Sequence, residues 1–381
     1  MINRATYQAA KIVAPLVEEH FATLLEEASA AGEIDLAPQP PARVIEAIVD
    51  AAFWVSLRKE EGHSAKISLA FLPPEQSGNA LLFKHNLPLS PNILTKIAPG
   101  VERSGVYLGV WHDGYDLYVW GTTLTMPNCC LVVDVSDPAL LVIKHRRIHG
   151  FGKFTNVAVL KGEQIKLINQ KKAEKIGECP GILISLLDLA GPSDHNDYLN
   201  VMIQLAVSMR AHGRGGAVLV VPQNTREWEH SVIHPITYHL TPSYKGLANL
   251  VRKDRSVASE IYLQAALKKE IEYIGGLTAI DGATVITDEY ELLAFGVKTS
   301  RAHSNEHIQE ILFFEPINDV AAVVIHPAKI GGTRHLSAAQ FVFDQKDALA
   351  LVASQDGHFT VFSWSEKLNI VQAQRIDALL L

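Results

Sequence analysis

The sequence predicts an α/β protein with two domains, an α+β domain followed by a mixed β-sheet flanked by helices. The first observation is length, because 381 residues exceed the roughly 100–200 residues of one ordinary domain. The second is the polar stretch QKKAEKIGECP, which runs into Pro180-Gly181 and is typical of a domain boundary. The third is a change from short alternating runs before this stretch to long helical tracts and buried strands after it. We therefore expect domains at residues 1–172 and 180–381.

Two helices are predicted to open the N-terminal domain. Apolar residues recur at helical spacing over residues 4–31, among them Ile12, Leu16 and Phe21. A proline-rich interruption follows, and it separates this helix from a second one over about residues 42–60.

Short strands are predicted to complete this domain. From about residue 67 the apolar residues form short runs, with Asp113-Gly114 and Lys161-Gly162 as turn residues between them. The alternation predicts an antiparallel β-meander. Its strands are ISLAFL, GVYLGVWH, LYVWGTTL, CLVVDV, LLVIKH, NVAVL and IKLI.

The C-terminal domain is predicted to alternate helices with strands. Residues 182–212 have a helical pattern broken at Gly191-Pro192, residues 217–222 indicate a fully buried strand, and a long helical tract covers about 244–274. The remaining predicted elements are strands near 284–287, 291–297, 311–315, 320–326, 348–353 and 358–363, a short helix after Thr333 and a C-terminal helix.

Composition and charge exclude several classes of protein. Apolar residues make up 48% of the chain and charged residues 20%, which argues against a wholly disordered chain or a fibrous repeat. A net charge of −7 provides no broad basic surface, so we expect no polymeric nucleic acid as a partner. We interpret the local basic run Lys144-His145-Arg146-Arg147 as solvated charges in a loop or at a strand edge.

The cysteines and the apolar runs predict a cytoplasmic protein. Three cysteines, of which Cys129 and Cys130 are adjacent, cannot form a disulfide framework, and no Cys-x-x-Cys or zinc spacing occurs. The N-terminal segment carries acidic residues and is amphipathic, unlike a signal peptide. Every uninterrupted apolar run is shorter than the roughly 18–20 residues that span a membrane, so we expect no membrane anchor.

The first motif with chemical meaning is Asp281-Gly282-Ala283, within LTAIDGATVI. An isolated Asp-Gly pair is typical of a turn. Here it joins a predicted helical tract to a buried strand, so Asp281 is expected at a strand entrance, where an open α/β sheet commonly places its ligand crevice. A carboxylate at that place can hold a divalent metal and help to activate a ribose hydroxyl.

The second motif is Gly331-Gly332-Thr333-Arg334-His335, at the start of a predicted helix. Glycines let backbone N–H groups approach an anion, the helix dipole favours negative charge, and an arginine supplies paired donors. The pattern therefore predicts a phosphate site. The plain alternative is an N-capped surface helix with an incidental arginine.

A third segment, ALALVASQDGHFTVF, consists of two predicted strands joined by the turn Ser354-Gln355-Asp356-Gly357. Alone it predicts an ordinary hairpin. It gains meaning only beside the other two motifs.

In this order, the three segments resemble the diadenylate cyclase (DAC) domain over about residues 276–364, and the strand in GGAVLVVP extends the resemblance to about residue 215. The resemblance implies a DAC-like mixed sheet flanked by helices that condenses two ATP molecules into cyclic di-AMP with Mg²⁺ or Mn²⁺. It also implies a homodimer or higher oligomer. It assigns catalysis and metal binding to Asp281. Asp356 is a further candidate metal ligand, and whether it serves the metal stays open. Nucleotide binding is assigned to Gly282, Ala283, Gly332, Thr333, Arg334, His335 and Ser354.

The sequence departs from the family pattern at three places. Leu336 stands where the family usually has the second arginine of Arg-His-Arg; a hydrogen bond to a charged group contributes roughly 1.5–3 kcal/mol, so its loss should cost about 10- to 150-fold. The 53 positions from Asp281 to Arg334 exceed the family's usual spacing, which implies an insertion near residues 300–330 that could line, cover or block the site. Gln355 and then Asp356 follow the turn serine, where the family often has acidic residues.

The first 170 residues resemble a sensor domain, called DACNV, that is found fused to DAC domains. Together the two resemblances predict a cyclase controlled by an N-terminal sensor with an unidentified small-molecule or protein signal. Two other hypotheses stay open. The C-terminal domain could have lost turnover and sense a nucleotide, or it could use other nucleotides or make another linkage.

Overall fold

The computed structural model describes residues 5–148, 154–169, 197–252, 260–302, 306–318 and 321–381. The chain divides into two compact units, which we call the N-terminal unit (Met1–Ile168 with Leu381) and the C-terminal unit (Asn169–Leu380). The predicted boundary at residues 173–179 lies outside the described residues, as does the first part of the helical pattern over 182–212.

The N-terminal unit contains an eight-stranded sheet and a separate two-stranded ribbon, β1 with β2. Its helices are α1 (Gln8–Ala30), α2 (Ala42–Ser56) and α3 (Pro91–Val101). Its strands are β1 (Lys59–Glu60), β2 (His63–Ser64), β3 (Ile67–Phe71), β4 (Ala80–Pro88), β5 (Tyr107–His112), β6 (Leu117–Thr123), β7 (Leu131–Asp137), β8 (Leu140–Arg146), β9 (Phe154–Lys161) and β10 (Gln164–Leu167).

The strand order of the large sheet is β10-β9-β8-β7-β3-β5-β6-β4. The predicted meander is present from β7 to β10, where consecutive strands pair antiparallel. The first half differs, because β3 pairs parallel with β5 and antiparallel with β7. A parallel pair needs a long crossover, and β4 and α3, which the sequence pattern did not reveal, lie within it.

Both N-terminal helices pack on one face of this sheet, but α1 does so with a different set of residues from the predicted one. Ile12 and Leu16 are 50% and 42% exposed. The buried side chains of α1 are small residues together with Phe21: Ala9, Ala10, Val13, Ala14, Val17, Phe21 and Ala28. Small side chains allow the helix to approach its neighbours closely. Close packing therefore determines which face of α1 is buried, and the largest apolar side chains do not. Helix α2 also ends earlier than predicted, at Ser56.

The basic run at residues 144–147 is not solvated as predicted. It lies on and just after β8, and His145 and Arg147 are 3% and 7% exposed. Lys144 pairs with Asp134 of β7, and Arg147 Nε donates a hydrogen bond of 2.7 Å to Thr155 Oγ1. These partners across the sheet stabilise Lys144 and Arg147. His145 is buried as a neutral ring, because burial lowers its pKa to about 3.

The C-terminal unit is a nine-stranded mixed sheet with helices on both faces. Its helices are α4 (Asp197–Ala211), α5 (Gly246–Val251), α6 (Glu260–Leu277) and α7 (Thr333–Asp344). Its strands are β11 (Gly216–Val221), β12 (Tyr238–Tyr244), β13 (Ala283–Thr287), β14 (Leu292–Val297), β15 (Ile311–Phe314), β16 (Val323–Ile325), β17 (Leu349–Ala353), β18 (Phe359–Ser365) and β19 (Ile370–Arg375).

The strand order is β12-β14-β13-β11-β17-β18-β19-β15-β16, with β11–β13 and β15–β19 parallel and the other neighbours antiparallel. Helix α7 packs on one face through Ala338, Ala339, Phe341 and Val342. Helix α4 packs against α6 and contacts β17. The structure is thus α/β with mixed sheets, as the sequence predicts.

The predicted C-terminal helix is wrong. Residues Ile370–Arg375 form β19, followed by a 3₁₀ turn at Asp377–Leu379. Strand β19 forms a hairpin with β18 and pairs with the distant strand β15, and this pairing on both sides overrides the local helical pattern. Among the described residues, no helix is both long and apolar enough to cross a membrane.

Candidate functional site

One edge of the C-terminal sheet brings the predicted site residues together. The parallel strands β11 and β13 begin there, with Ala217 opposite Ala283. The antiparallel neighbours β14 and β17 end there, since Val297 pairs with Ala283 and Ala353 with Gly216. A cavity of about 660 Å³, which we call the main cavity, lies at this edge.

All nine predicted site residues line the main cavity. They are Asp281, Gly282, Ala283, Gly332, Thr333, Arg334, His335, Ser354 and Asp356. The location also refines the expectation for Asp281. It does lie at a strand entrance, but the crevice is at the amino ends of the parallel strands, where their antiparallel neighbours contribute carboxyl ends.

The Asp281 loop depends on glycine for its shape. Gly282 has a φ of +120°, and a Cβ at this position would lie 2.4 Å from the carbonyl carbon of Gly296. Only glycine combines that backbone conformation with so close an approach of another backbone. Ala283, the first residue of β13, is buried beside it. The loop therefore holds Asp281 at the rim of the cavity.

Asp281 forms an ion pair with Lys298, the residue after β14. Lys298 Nζ lies 2.5 Å from Asp281 Oδ2, and the Asp281 side chain is 85% exposed. The hydrogen bond and charge of Lys298, with a smaller contribution from Arg334, hold the pKa of the Asp281 carboxyl below its usual value. The carboxylate is thus ionised at neutral pH and able to accept a proton or bind a cation.

The start of α7 also lines the main cavity and has features that favour an anion. Gly332 is the N-cap and no side chain caps the helix, so backbone N–H groups of its first turn face the loop. Gly331 packs tightly on His335, because a Cβ there would lie 2.2 Å from His335 Nδ1. Helix α7 has twelve residues, long enough for its dipole to favour a bound anion.

Arg334 reaches across the cavity toward the entry of β11. An ideal Cβ on Gly215 would lie 3.0 Å from one terminal nitrogen of Arg334 and 3.1 Å from the Ala353 carbonyl oxygen. Gly215 has a φ of +70°, so both its conformation and its contacts favour glycine. The guanidinium is half-buried and presents its paired donors at the cavity wall.

His335 has a different setting from its neighbour. It is 3% exposed, and its Nε2 lies 3.4 Å from Thr360 Oγ1. Burial, together with the positive charges of Arg375, His358 and Arg334, lowers the pKa of His335 to about 4. The imidazole is therefore neutral at physiological pH. Its close contact with Gly331 supports the loop that precedes α7.

The turn after β17 completes the cavity wall. Ser354 Oγ accepts a 3.1 Å hydrogen bond from the His358 N–H, and Ser354 N–H donates to the His358 carbonyl at 2.8 Å. The serine thus closes its own hairpin. Asp356 is exposed at the tip of this turn and lines the same cavity as Asp281.

Lys298 and His358 are cavity residues that sequence reasoning missed. Each directly adjoins a strand whose end reaches the cavity, β14 for Lys298 and β18 for His358. His358 Nδ1 lies 3.5 Å from Asp377 Oδ1. The sequence shows only that each residue lies beside a predicted strand. It does not show which strand ends meet at the same side of the sheet.

The donor set fits a divalent metal that arrives with a phosphorylated ligand. Among the described residues, no three His, Cys, Asp or Glu side chains form a ready metal cluster. Asp281 and Asp356 nevertheless share the cavity, and Mg²⁺ is commonly bound by one or two carboxylates plus phosphate oxygens. Such an ion would compete with Lys298 for Asp281.

The described part of the predicted insertion, residues 300–302, 306–318 and 321–330, lines the main cavity only at Ile330. It includes β15 and β16, which extend the sheet at the edge farthest from β12. Of the described residues between 300 and 329, none lines the main cavity. Several line a second, smaller cavity next to it.

Comparison with known families places the similarity in the N-terminal unit. Residues 34–124 match the family described as probable sensor domain DACNV. The matched segment runs from the loop between α1 and α2 to the residue after β6. This part of the chain is thus similar to a sensor domain, in agreement with the predicted resemblance of the first 170 residues. No curated protein matches the chain.

Proposed function

We propose that the C-terminal unit is a metal-dependent nucleotidyltransferase of the diadenylate cyclase type. It would convert two ATP molecules into cyclic di-AMP and two pyrophosphates. The observation that supports this proposal is the convergence of the Asp281 loop, the α7 start and the Ser354 turn on one cavity. These segments are far apart in sequence, and an incidental turn and an incidental surface helix have no reason to meet.

The residues divide into two chemical roles. Arg334 and the first-turn N–H groups of α7 bind the phosphates, since paired cationic donors and a helix N-terminus both stabilise negative charge. Asp281 accepts the proton of a ribose 3′-hydroxyl. The 3′-oxygen forms a bond to the α-phosphorus of the second ATP, the bond from that phosphorus to the bridging oxygen breaks, and pyrophosphate leaves with the electron pair. Two such events close the ring.

Asp281 and Asp356 are the residues that would hold Mg²⁺ or Mn²⁺. When bound, the metal supplies charge neutralisation of the phosphates. Positioning and charge stabilisation dominate phosphoryl transfer, which suits a cavity with two carboxylates, one lysine and one arginine.

The reaction requires two chains. Each chain has one main cavity, and each ATP must present its 3′-hydroxyl to the other ATP's α-phosphate. We therefore propose a homodimer or higher oligomer in which two main cavities face each other.

The similarity of residues 34–124 to a probable sensor domain supports a regulatory role for the N-terminal unit. We propose that binding of a small molecule or protein there controls turnover in the C-terminal unit. Because the proposed substrate is ATP, we propose that the protein acts in the cytoplasm.

A second candidate function is nucleotide sensing without turnover. It is favoured by Leu336, which removes one expected cation, and by the pairing of Asp281 with Lys298, which occupies the proposed base. This alternative predicts saturable nucleotide binding with no product.

The test is incubation of the purified full-length protein with ATP and Mn²⁺ or Mg²⁺, followed by mass spectrometry of the nucleotides. Wild type should form cyclic di-AMP, and Asp281→Asn should lower its formation by at least about 100-fold because a positioned proton acceptor contributes roughly 10²–10⁴. Asp347→Asn is the matched control, an exposed aspartate outside the cavity.

Undiminished synthesis by Asp281→Asn would refute the proposed role of Asp281. ATP left unchanged by wild type under both metals, with measurable nucleotide binding, would favour the sensor.

A further inference from the structure

A second cavity of about 400 Å³ adjoins the main cavity. Thr299 and Ser337 line both, so the two cavities share a wall. The second cavity is built by the segment after β14, by residues 307–309 and by α7. These are the residues of the predicted insertion together with the helix that carries Arg334.

The polar lining of the second cavity favours an anion. Arg301, His307 and His326 line it, and none of the described lining residues is acidic. His326 Nδ1 accepts a hydrogen bond of 3.2 Å from the Ala328 N–H. An imidazole nitrogen that accepts carries no proton, so the ring N–H of neutral His326 is at Nε2, where it can donate to a ligand.

A hydrogen-bond network fixes these walls to α7. The Gln340 side-chain oxygen accepts from Ile308 N–H at 2.9 Å, and its nitrogen donates to the Glu306 carbonyl at 3.1 Å and to Asp344 Oδ1 at 2.9 Å. Asp344 Oδ2 accepts from Ala302 N–H at 2.9 Å. The backbone on both sides of the cavity is therefore held in place, which lowers the ordering cost of binding.

Leu336 adds a reason for the placement of these cations. It is 37% exposed and lines the second cavity, one residue after His335. The family pattern has an arginine at this position, which could contact a bound phosphate, whereas the leucine side chain is apolar. Arg301, from the segment after β14, lines the same cavity as Leu336 and offers a guanidinium there.

We infer that Arg301, with His307 and His326, forms a subsite for the pyrophosphate end of the nucleotide. The inference rests on the proposed function and deepens it, because it assigns the β- and γ-phosphates and the pyrophosphate leaving group to the second cavity. Arg301 takes the place of the cation that Leu336 lacks. The insertion is thus a part of the binding site.

The experiment is calorimetric titration of the full-length protein with inorganic pyrophosphate and, separately, with AMP. Arg301→Ala should raise the Kd for pyrophosphate by about 10- to 150-fold, the range for a hydrogen bond to a charged group, and leave the Kd for AMP within twofold. The matched control is Arg226→Ala, whose side chain is 88% exposed and lies outside both cavities. Leu336→Arg in the Arg301→Ala background should restore at least part of the pyrophosphate affinity.

Two results would overturn the inference. One is a pyrophosphate Kd that Arg301→Ala changes by less than twofold, and the other is a wild-type protein that binds AMP but no pyrophosphate. Failure of the cyclase proposal is separately visible. If the protein binds pyrophosphate through Arg301 but forms no cyclic di-AMP from ATP, the subsite is supported and the cyclase proposal is refuted.

Discussion

At the residue scale, Asp281 and Lys298 set the chemistry of the main cavity. The ion pair lowers the pKa of the Asp281 carboxyl and so keeps it charged. The same lowering makes the carboxylate a weaker proton acceptor. A phosphate that attracts Lys298 would weaken the pair and raise the basicity of Asp281. Binding of the second nucleotide would then activate the first.

His335 leads to a prediction for acid stability. Its pKa in the folded protein is lowered from 6.5 to about 4, so the unfolded chain binds more protons between these values. The free energy of unfolding of the C-terminal unit should therefore carry no penalty from His335 above about pH 6.5, and it should fall as the pH is lowered toward 4. At pH 5 the loss from this one group is about 2 kcal/mol, since each pKa unit corresponds to about 1.4 kcal/mol.

The measurement is hydrogen exchange of β17 and β18 peptides in urea at pH 7 and at pH 5. His335→Asn should show a smaller loss of protection between the two pH values than wild type. His230→Asn, at an exposed histidine, is the control and should behave like wild type. An equal loss in wild type and His335→Asn would show that His335 is not the titrating group.

At the element scale, the site depends on which ends of the strands meet. The sheet mixes parallel and antiparallel neighbours, so starts of β11 and β13 lie beside ends of β14 and β17. Loops from four strands and the start of α7 thus reach one cavity. A purely parallel sheet would have put the loops before its strands on the edge opposite to the loops after them.

Packing of α6 on α4 gives a prediction with an internal control. A Cβ on Gly275 would lie 2.2 Å from Ser208 Oγ and 2.8 Å from Ser208 Cβ, whereas a Cβ on Gly276 would meet nothing within 4 Å. Gly275→Ala should destabilise the C-terminal unit by about 1–3 kcal/mol through overpacking. Gly276→Ala should be neutral or should stabilise by up to about 1 kcal/mol, because alanine has the higher helix propensity.

Urea unfolding of the two variants checks this pair. The neighbouring positions share one helix, so a difference in sign separates the contact with Ser208 from helix propensity. Equal effects of the two substitutions would contradict the close packing of α6 on α4 at this point.

At the scale of the whole molecule, the chain has two units, each with its own sheet and its own hydrophobic core. The similarity to a sensor domain falls within the first unit, and the cavity with the candidate site falls within the second. This division suits a protein in which one unit receives a signal and the other carries out chemistry.

The proposed pairing of two main cavities predicts a concentration dependence. Specific activity, measured as cyclic di-AMP formed per chain, should fall when the protein is diluted below the Kd of the dimer. The total rate should then become proportional to the square of the protein concentration. A dilution series of the cyclase assay, with sedimentation velocity at the same concentrations, measures both. Constant specific activity of a protein that sediments as a monomer would contradict the two-chain reaction.

Local pattern was sufficient for much of this protein. Strands β11, β13, β14, β17 and β18 and the start of α7 lie close to their predicted places, because buried runs and glycine-rich turns act through neighbours in the chain. The motifs around Asp281, Arg334 and Ser354 could be recognised for the same reason. Their roles in catalysis and binding stay predictions.

Long-range pairing decided the rest. Strand β19 forms where a helix was expected, and the parallel pair of β3 with β5 interrupts the predicted meander. In both cases hydrogen bonds to a strand distant in the chain, β15 for β19, outweigh local preference. Three features join residues from separate elements: the burial of His145 and Arg147, the ion pair of Asp281 with Lys298, and the cavity that Arg301 and Leu336 line together. Only the three-dimensional fold brings such groups together, and their charges and contacts then determine what the cavity can bind.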